Sequence, residues 1–183
     1  MACRATPRQY RLALVAVLGS LVSAACAGPK HPVPEKSSEP PVTESPAPVA
    51  QSFARYDGLR AELIAALEQQ LPGISWTVHL PASVNKLADG RCFFETRTMV
   101  SSADVVEPSH RFSDIFSAGD PVLAKYGFPA FGGTDPTPGG WTVARSANAA
   151  GAIVSIESKS PAYLYIGAPV DSRTCDPAEL PDP

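Results

Sequence analysis

The 183-residue chain has no run of lysine and arginine, no C-x-x-C pair and no apolar stretch long enough to cross a bilayer. Its formal charge is −3. An acidic chain without basic clusters has no electrostatic reason to seek nucleic acid or anionic headgroups, which excludes a nucleic-acid role. The longest apolar run is Leu12 to Val22, interrupted only by Gly19 and Ser20. It reaches about half of the roughly 20 residues that a spanning helix needs. No G-x-S-x-G elbow, H-E-x-x-H helix or phosphate-cradling G-x-x-x-x-G-K loop occurs. The Gly132-Gly133 and Gly139-Gly140 pairs stand beside prolines as turns. Structural zinc takes four closely spaced ligands, which the scattered cysteines do not offer. There is no internal repeat, and neither a cofactor nor a metal site is expected.

What the chain does have is an address. Arg4, Arg8 and Arg11 precede the short apolar run, and Ser23-Ala24-Ala25 lead into Cys26. This is the layout of a bacterial export signal, residues 1–25, ending in a lipid-acceptor cysteine. Lipoboxes usually carry a large apolar residue three before the cysteine, where this chain has Ser23. The alternative is an ordinary secretory signal cut near Ala25 or Ala27. Each buried acyl methylene is worth about 0.8 kcal/mol, so several chains on Cys26 would hold the mature protein to the outer membrane leaflet. Loss of residues 1–25 removes three arginines and no acid, which takes the formal charge from −3 to −6.

Residues 26–51 read as a tether. Seven of the 25 residues from Ala27 to Gln51 are proline, and the segment has no aromatic ring, Leu or Ile. It cannot bury enough apolar surface to offset its ordering entropy. Residues 52–176 form one domain and 177–183 an acidic, proline-rich tail. Cys3 leaves with the signal and Cys26 is the lipid acceptor, so Cys92 and Cys175 remain for an oxidising compartment. Their simplest use is a structural disulfide; a metal or redox pair is the alternative.

The pattern of the domain gives an α+β fold. Phe53, Tyr56, Leu59, Leu63, Leu67 and Leu71 recur at three- and four-residue steps, a helix over Phe53–Leu71 with Ser52 as cap and Pro72-Gly73 as stop. Ile74, Trp76, Val78 and Leu80 alternate as a half-buried strand, and a second strand runs over Arg91–Val100 after an Asp89-Gly90 turn. A second helical region covers Ser109–Tyr126, with Gly119-Asp120-Pro121 breaking and restarting it and Asp120 as the new cap. A Gly/Pro loop from Phe128 to Gly140 follows, its Phe128 and Phe131 packing back on the domain. Three strands then come at Trp141–Ser146, Ala152–Ser158 and Ala162–Ala168. The order α-β-β-α-β-β-β predicts a two-layer sandwich, an antiparallel sheet of about five strands with both helical regions on one face.

A sheet covered on one side leaves the other to water. Trp76, Val78, Phe94, Val154, Ile156, Leu164 and Ile166 are assigned to the helix side. By alternation the open side carries His79, Phe93, Glu95, Arg97, Tyr163 and Tyr165, a candidate binding face. Such residues also serve sheet stability alone. Of the three histidines, His31 falls in the tether and His110 in a capping region. A His79–Glu95 pair is the one candidate for general-base or metal chemistry, and it lacks a nucleophile or third ligand. No residue is assigned as catalytic.

The chain resembles the LppA-like lipoproteins of mycobacteria and related actinomycetes. The likeness rests on the lipidation signal and on a first helix running into Pro72-Gly73 with Trp76 three residues on. Cys92 and the Ala124-Lys125-Tyr126-Gly127 ending of the second helical region carry it further, as do the late strands that lead to Cys175. The resemblance implies a surface lipoprotein tethered to the cell membrane and brings no reaction. The expectation is a non-enzymatic binding module of the envelope, its partner an envelope protein or small ligand. The alternatives are a carrier of a small apolar ligand between helices and sheet, and a hydrolase-like enzyme using His79.

Overall fold

A leucine ladder and a bulged strand organise the domain, seen in a computed structural model that describes residues 44–181. The export signal, Cys26, His31, the tether up to residue 43 and the last two residues of the tail lie outside the described residues. The elements are β1 (Ala47–Pro48), α1 (Val49–Gln70), β2 (Trp76–Leu80), β3 (Ser83–Lys86), β4 (Cys92–Glu95), β5 (Thr98–Ser101), α2 (Ser113–Lys125), β6 (Thr134–Thr137), β7 (Trp141–Ala147), β8 (Ile153–Ser158) and β9 (Ala162–Asp171). A 3-10 turn at Pro177–Glu179 follows. The fold is α+β, as the pattern requires, with nine strands rather than about five. β7, β8 and β9 fall where the three late apolar segments predict them.

Strand order across the sheet is β2-β5-β9-β8-β7-β6, with β3-β4 alongside the second half of β9. All pairings are antiparallel except that of β1, which runs parallel to the end of β9. The four additional strands have identifiable causes. The single strand expected over Arg91–Val100 is split. Glu95 pairs with Gly167 and Met99 with Leu164, so one extra residue stands opposite β9 and forms a bulge between β4 and β5. β3 is a hairpin partner of β4 across the Asp89-Gly90 turn, where the Asp89 carboxylate accepts the Arg91 N–H at 3.0 Å. β6 lies inside the expected Gly/Pro loop; it is an edge strand, where Pro136 needs no N–H to donate. Gly139 and Gly140, at φ of 89° and 81°, turn it into β7.

β1 corrects the N-terminal boundary. Ala47 and Pro48, expected in the tether, pair with Val170 and Asp171. α1 accordingly starts at Val49, and Ser52 is not its cap but a buried residue inside it. Residues 177–180 also belong to the fold: Leu180 packs partly buried on the core, and the Asp176 carboxylate accepts the Ala178 N–H at 2.9 Å.

Leu59, Leu63 and Leu67 of α1 are fully buried with Phe94, Ile115, Leu123, Ile156 and Leu164. Each such side chain contributes about 1.5–3 kcal/mol of burial. Phe128 and Phe131 are buried, as expected. The second helix is not broken at Gly119-Asp120-Pro121; it runs unbroken from Ser113 to Lys125 with Pro121 inside. Asp120 does not cap it but accepts the Phe131 N–H at 3.0 Å, which ties the following loop to the helix. Gly119 is there for close approach, since a Cβ would lie 2.9 Å from Phe131 and 3.3 Å from Leu63. Residues 109–112 are a turn rather than helix, with His110, Arg111 and Phe112 all at positive φ. The helices are clamped to each other by Lys125 and Tyr126, which each donate to the Glu62 carboxylate at 2.9 Å. Those bonds hold the Glu62 pKa below the usual carboxylate range.

Cys92 and Cys175 form a disulfide with Cα atoms 5.2 Å apart, joining β4 to the segment after β9. It closes a loop with a sequence separation of 83, for which chain entropy gives about 4.5 kcal/mol. The double Cys92→Ala/Cys175→Ala variant is expected to unfold at markedly lower urea, and an unchanged midpoint would contradict the linkage. Gly119→Ala gains about 1 kcal/mol of helix propensity but meets Phe131 and Leu63, at an overpacking cost of about 1–3 kcal/mol. The expected net result is a lower melting temperature; a rise would mean that the Phe131 contact is dispensable.

Candidate binding face

α1 packs on one face of the sheet over β9 and β4, with α2 packed against α1, and the other face is uncovered among the described residues. Strand alternation fixes which side chains reach it. From β9 it takes Tyr163 and Tyr165, from β4 Phe93 and Glu95, and from β8 Glu157. From β7 it takes Trp141, Val143 and Arg145, and from β6 Asp135 and Thr137. Trp76, Phe94, Val154, Ile156, Leu164 and Ile166 are buried under the helices, as assigned.

Two assignments fail, and a bulge is the cause of one. Arg97 was placed on the open face, but the extra residue between β4 and β5 reverses the alternation there. Its guanidinium turns to α1, with Nη1 3.6 Å from Asp57, a carboxylate that also accepts from Arg60 at 3.0 Å. In β2 the register shifts between Val78 and Leu80, and Leu80 is 52% exposed. Val78, assigned to the helix side, is 54% exposed because β2 is an edge strand and α1 packs over β4 and β9 instead.

Two groupings occupy the open face. The first is built on β4 and β9. The Tyr165 hydroxyl donates to Glu95 Oε1 at 2.9 Å, and Ser83 of β3 donates to the other carboxylate oxygen at 3.2 Å. Phe93 lies over Gly167, where a Cβ would be 2.3 Å from the ring and 2.9 Å from the Tyr165 hydroxyl. Glycine is therefore the residue that lets this cluster close over β9. Burial, then the Glu95 charge and hydrogen bond, raise the Tyr165 pKa well above its ordinary value.

The second grouping is an aromatic row. The His79 ring stands edge-on to Tyr163 at 5.1 Å between centroids, and Trp141 tilts against Tyr163 at 5.9 Å. Lys159 Nζ is 6.0 Å from the Trp141 ring centroid. Beside this row is an open recess of about 290 Å3 lined by Asp135, Thr137, Trp141, Val143, Arg145 and Glu157. The expected open-face residues thus divide: His79 and Tyr163 join the row, while Phe93, Glu95 and Tyr165 form the other cluster. His79 and Glu95 make no ion pair; β2 pairs with β5, which lies on the first half of β9, whereas β4 pairs with the second half. His110 is exposed, with Nε2 3.9 Å from Asp114. Among the described residues no three His, Cys, Asp or Glu side chains gather as a metal site, and no helix is long and apolar enough to cross a membrane.

Trp141, Arg145 and Glu157 were within reach of sequence alternation, since Val154 and Ile156 fix the face of β8 and β7 pairs with it. Asp135 and Thr137 were not, because a Gly/Pro-rich segment gives no strand signal.

Tyr165 also sets a pH dependence. Unfolded, its hydroxyl ionises near pH 10; folded, it keeps its proton to higher pH. The unfolded state then binds fewer protons, so stability is lost as pH rises above about 10. Tyr165→Phe is expected to be less stable at pH 7 by about 1–3 kcal/mol, for the bond to a charged acceptor, and to lose less than the wild type on going to alkaline pH. Parallel melting curves in the two proteins would contradict this environment.

No protein-family model and no curated protein matches the chain. Among solved structures it is similar to the crystal structure of a DUF4853 family protein from Actinomyces odontolyticus. The TM-score is 0.51 at 12% identity, over 79% of this chain and 80% of that one. At that identity the likeness is one of fold, an α+β arrangement of two helices and a large antiparallel sheet.

Proposed function

We propose that the protein is a lipoprotein of the cell envelope, anchored through Cys26 on the extracytoplasmic side. Its domain acts as a non-enzymatic binding module that engages an envelope partner through the open sheet face. The observation that carries this reading is the uncovered face itself, where an aromatic row and charged side chains stand together without a covering layer. Mixed aromatic and polar surface of this kind is what recognition faces are made of. The export signal pattern and the Cys92–Cys175 disulfide support an oxidising, extracytoplasmic setting.

The geometry favours this over the two alternatives. A carrier needs an apolar cavity between helices and sheet, and that interface is filled by Leu59, Leu63, Phe94, Phe112, Ile156 and Leu164, all at 0–1% exposure. A hydrolase needs its histidine beside a carboxylate, and His79 stands edge-on to Tyr163 instead.

The anchor and the face are tested together in cells. An alkyne fatty acid is expected to label the wild type and not Cys26→Ala. Tyr163→Ala combined with Arg145→Glu is expected to reduce partner recovery after cross-linking at least tenfold, with an unchanged melting temperature. Label that survives in Cys26→Ala would sink the anchor; undiminished recovery from the face variant would sink the binding module.

A further inference from the structure

The recess on the open face has a specific chemistry. Register places Val143 at its floor, paired with Asp135 on one side and Glu157 on the other. Trp141 and Arg145 are two residues away in either direction along β7 and so share the face. A ligand over Val143 therefore meets an indole at one end, a guanidinium at the other and a carboxylate on each flank. Among the described residues, Arg145 forms no ion pair with either carboxylate, as is also true of Arg55, Lys86, Arg111, Lys159 and Arg173 toward any acid. Glu157 accepts one long hydrogen bond, from Ser155 at 3.5 Å. Thr137 Oγ1 donates to the Trp141 carbonyl at 3.4 Å, and among the described residues Asp135 and Arg145 make no side-chain hydrogen bond.

That set selects among ligands. An apolar ligand would strip water from three charged groups and return nothing, at a cost of several kcal/mol. An anion meets two carboxylates for one guanidinium. A cation meets Arg145 at the centre of the strand and Lys159 beside Trp141. A neutral polyhydroxylated ligand satisfies all of them: each hydroxyl donates to a carboxylate or accepts from the guanidinium, while the C–H face of the ring packs on the indole. The volume, about 290 Å3, is at the lower end of the usual range of about 300–1,000 Å3 for small-ligand sites. Being open to solvent, it suits one or two units within a longer chain.

We propose that the recess formed by Asp135, Thr137, Trp141, Val143, Arg145 and Glu157 is a binding site for a neutral glycan chain. This rests on the reading of the open face as a binding surface and names what it binds. Trp141 is the stacking platform, and Asp135, Glu157 and Arg145 read the hydroxyls.

The test uses the full chain in its own envelope, with a photo-activatable diazirine residue at Ala147, two residues beyond Arg145 on the same face. After irradiation, the remnant left on the protein is identified by mass spectrometry. A sugar remnant whose yield falls at least tenfold in Trp141→Ala and in Arg145→Ala, each with an unchanged melting temperature, is the expected result. A peptide remnant would overturn the glycan while leaving the binding face standing. A sugar remnant indifferent to both substitutions would remove the recess as its site. No adduct at all would overturn both the glycan and the binding face.

Discussion

The register of β9 is the constraint on which the rest of the structure depends. Its ten residues pair with β8 along one edge and with β5 and β4 along the other, and β1 joins its end. A one-residue slip in such a strand would carry Leu164 and Ile166 out of the core and Tyr163 and Tyr165 into it. The slip is resisted on both faces. Beneath, the leucines of α1 close over the strand; above, Phe93 fits only because residue 167 has no side chain. The disulfide secures the same register from the side, tying Cys92, which pairs with Val170, to the segment that leaves β9.

Much of this was legible from the chain. The spacing of Leu59, Leu63 and Leu67 found the first helix, and the alternation of Val154, Ile156, Leu164 and Ile166 found the central strands with their correct faces. The disulfide followed from cysteine arithmetic. What escaped reading had physical causes. Bulges leave no compositional mark, so Arg97 was assigned to the wrong face; nor does an edge position, so Val78 was assigned to the helix side. Ala47 and Pro48 looked like tether, yet proline is acceptable at a sheet edge. Gly119-Asp120-Pro121 looked like a helix break, but Gly119 answers to Phe131 and Asp120 to the Phe131 backbone. In each case a tertiary contact outweighed a local signal.

The same frame explains why the open face has two characters. Around Gly167 its polar groups are satisfied internally: Glu95 is held by Tyr165 and Ser83, which makes that half a structural cap. Around Val143, Glu157 accepts only a long bond from Ser155, and Asp135 and Arg145 make no side-chain hydrogen bond among the described residues. One half of the open face has spent its hydrogen-bonding capacity on the fold, while in the other half, among the described residues, these two side chains make no such bond.

Hydroxyl-radical footprinting of the full-length protein, purified and in its native envelope, tests the claim of a free face that a partner covers. The account predicts oxidation of Trp141, Tyr163 and His79 in the purified protein and protection of all three in the envelope. Phe94 and Phe112, which are fully buried, should stay unreactive in both. Equal oxidation of the three rings in the two settings would contradict it.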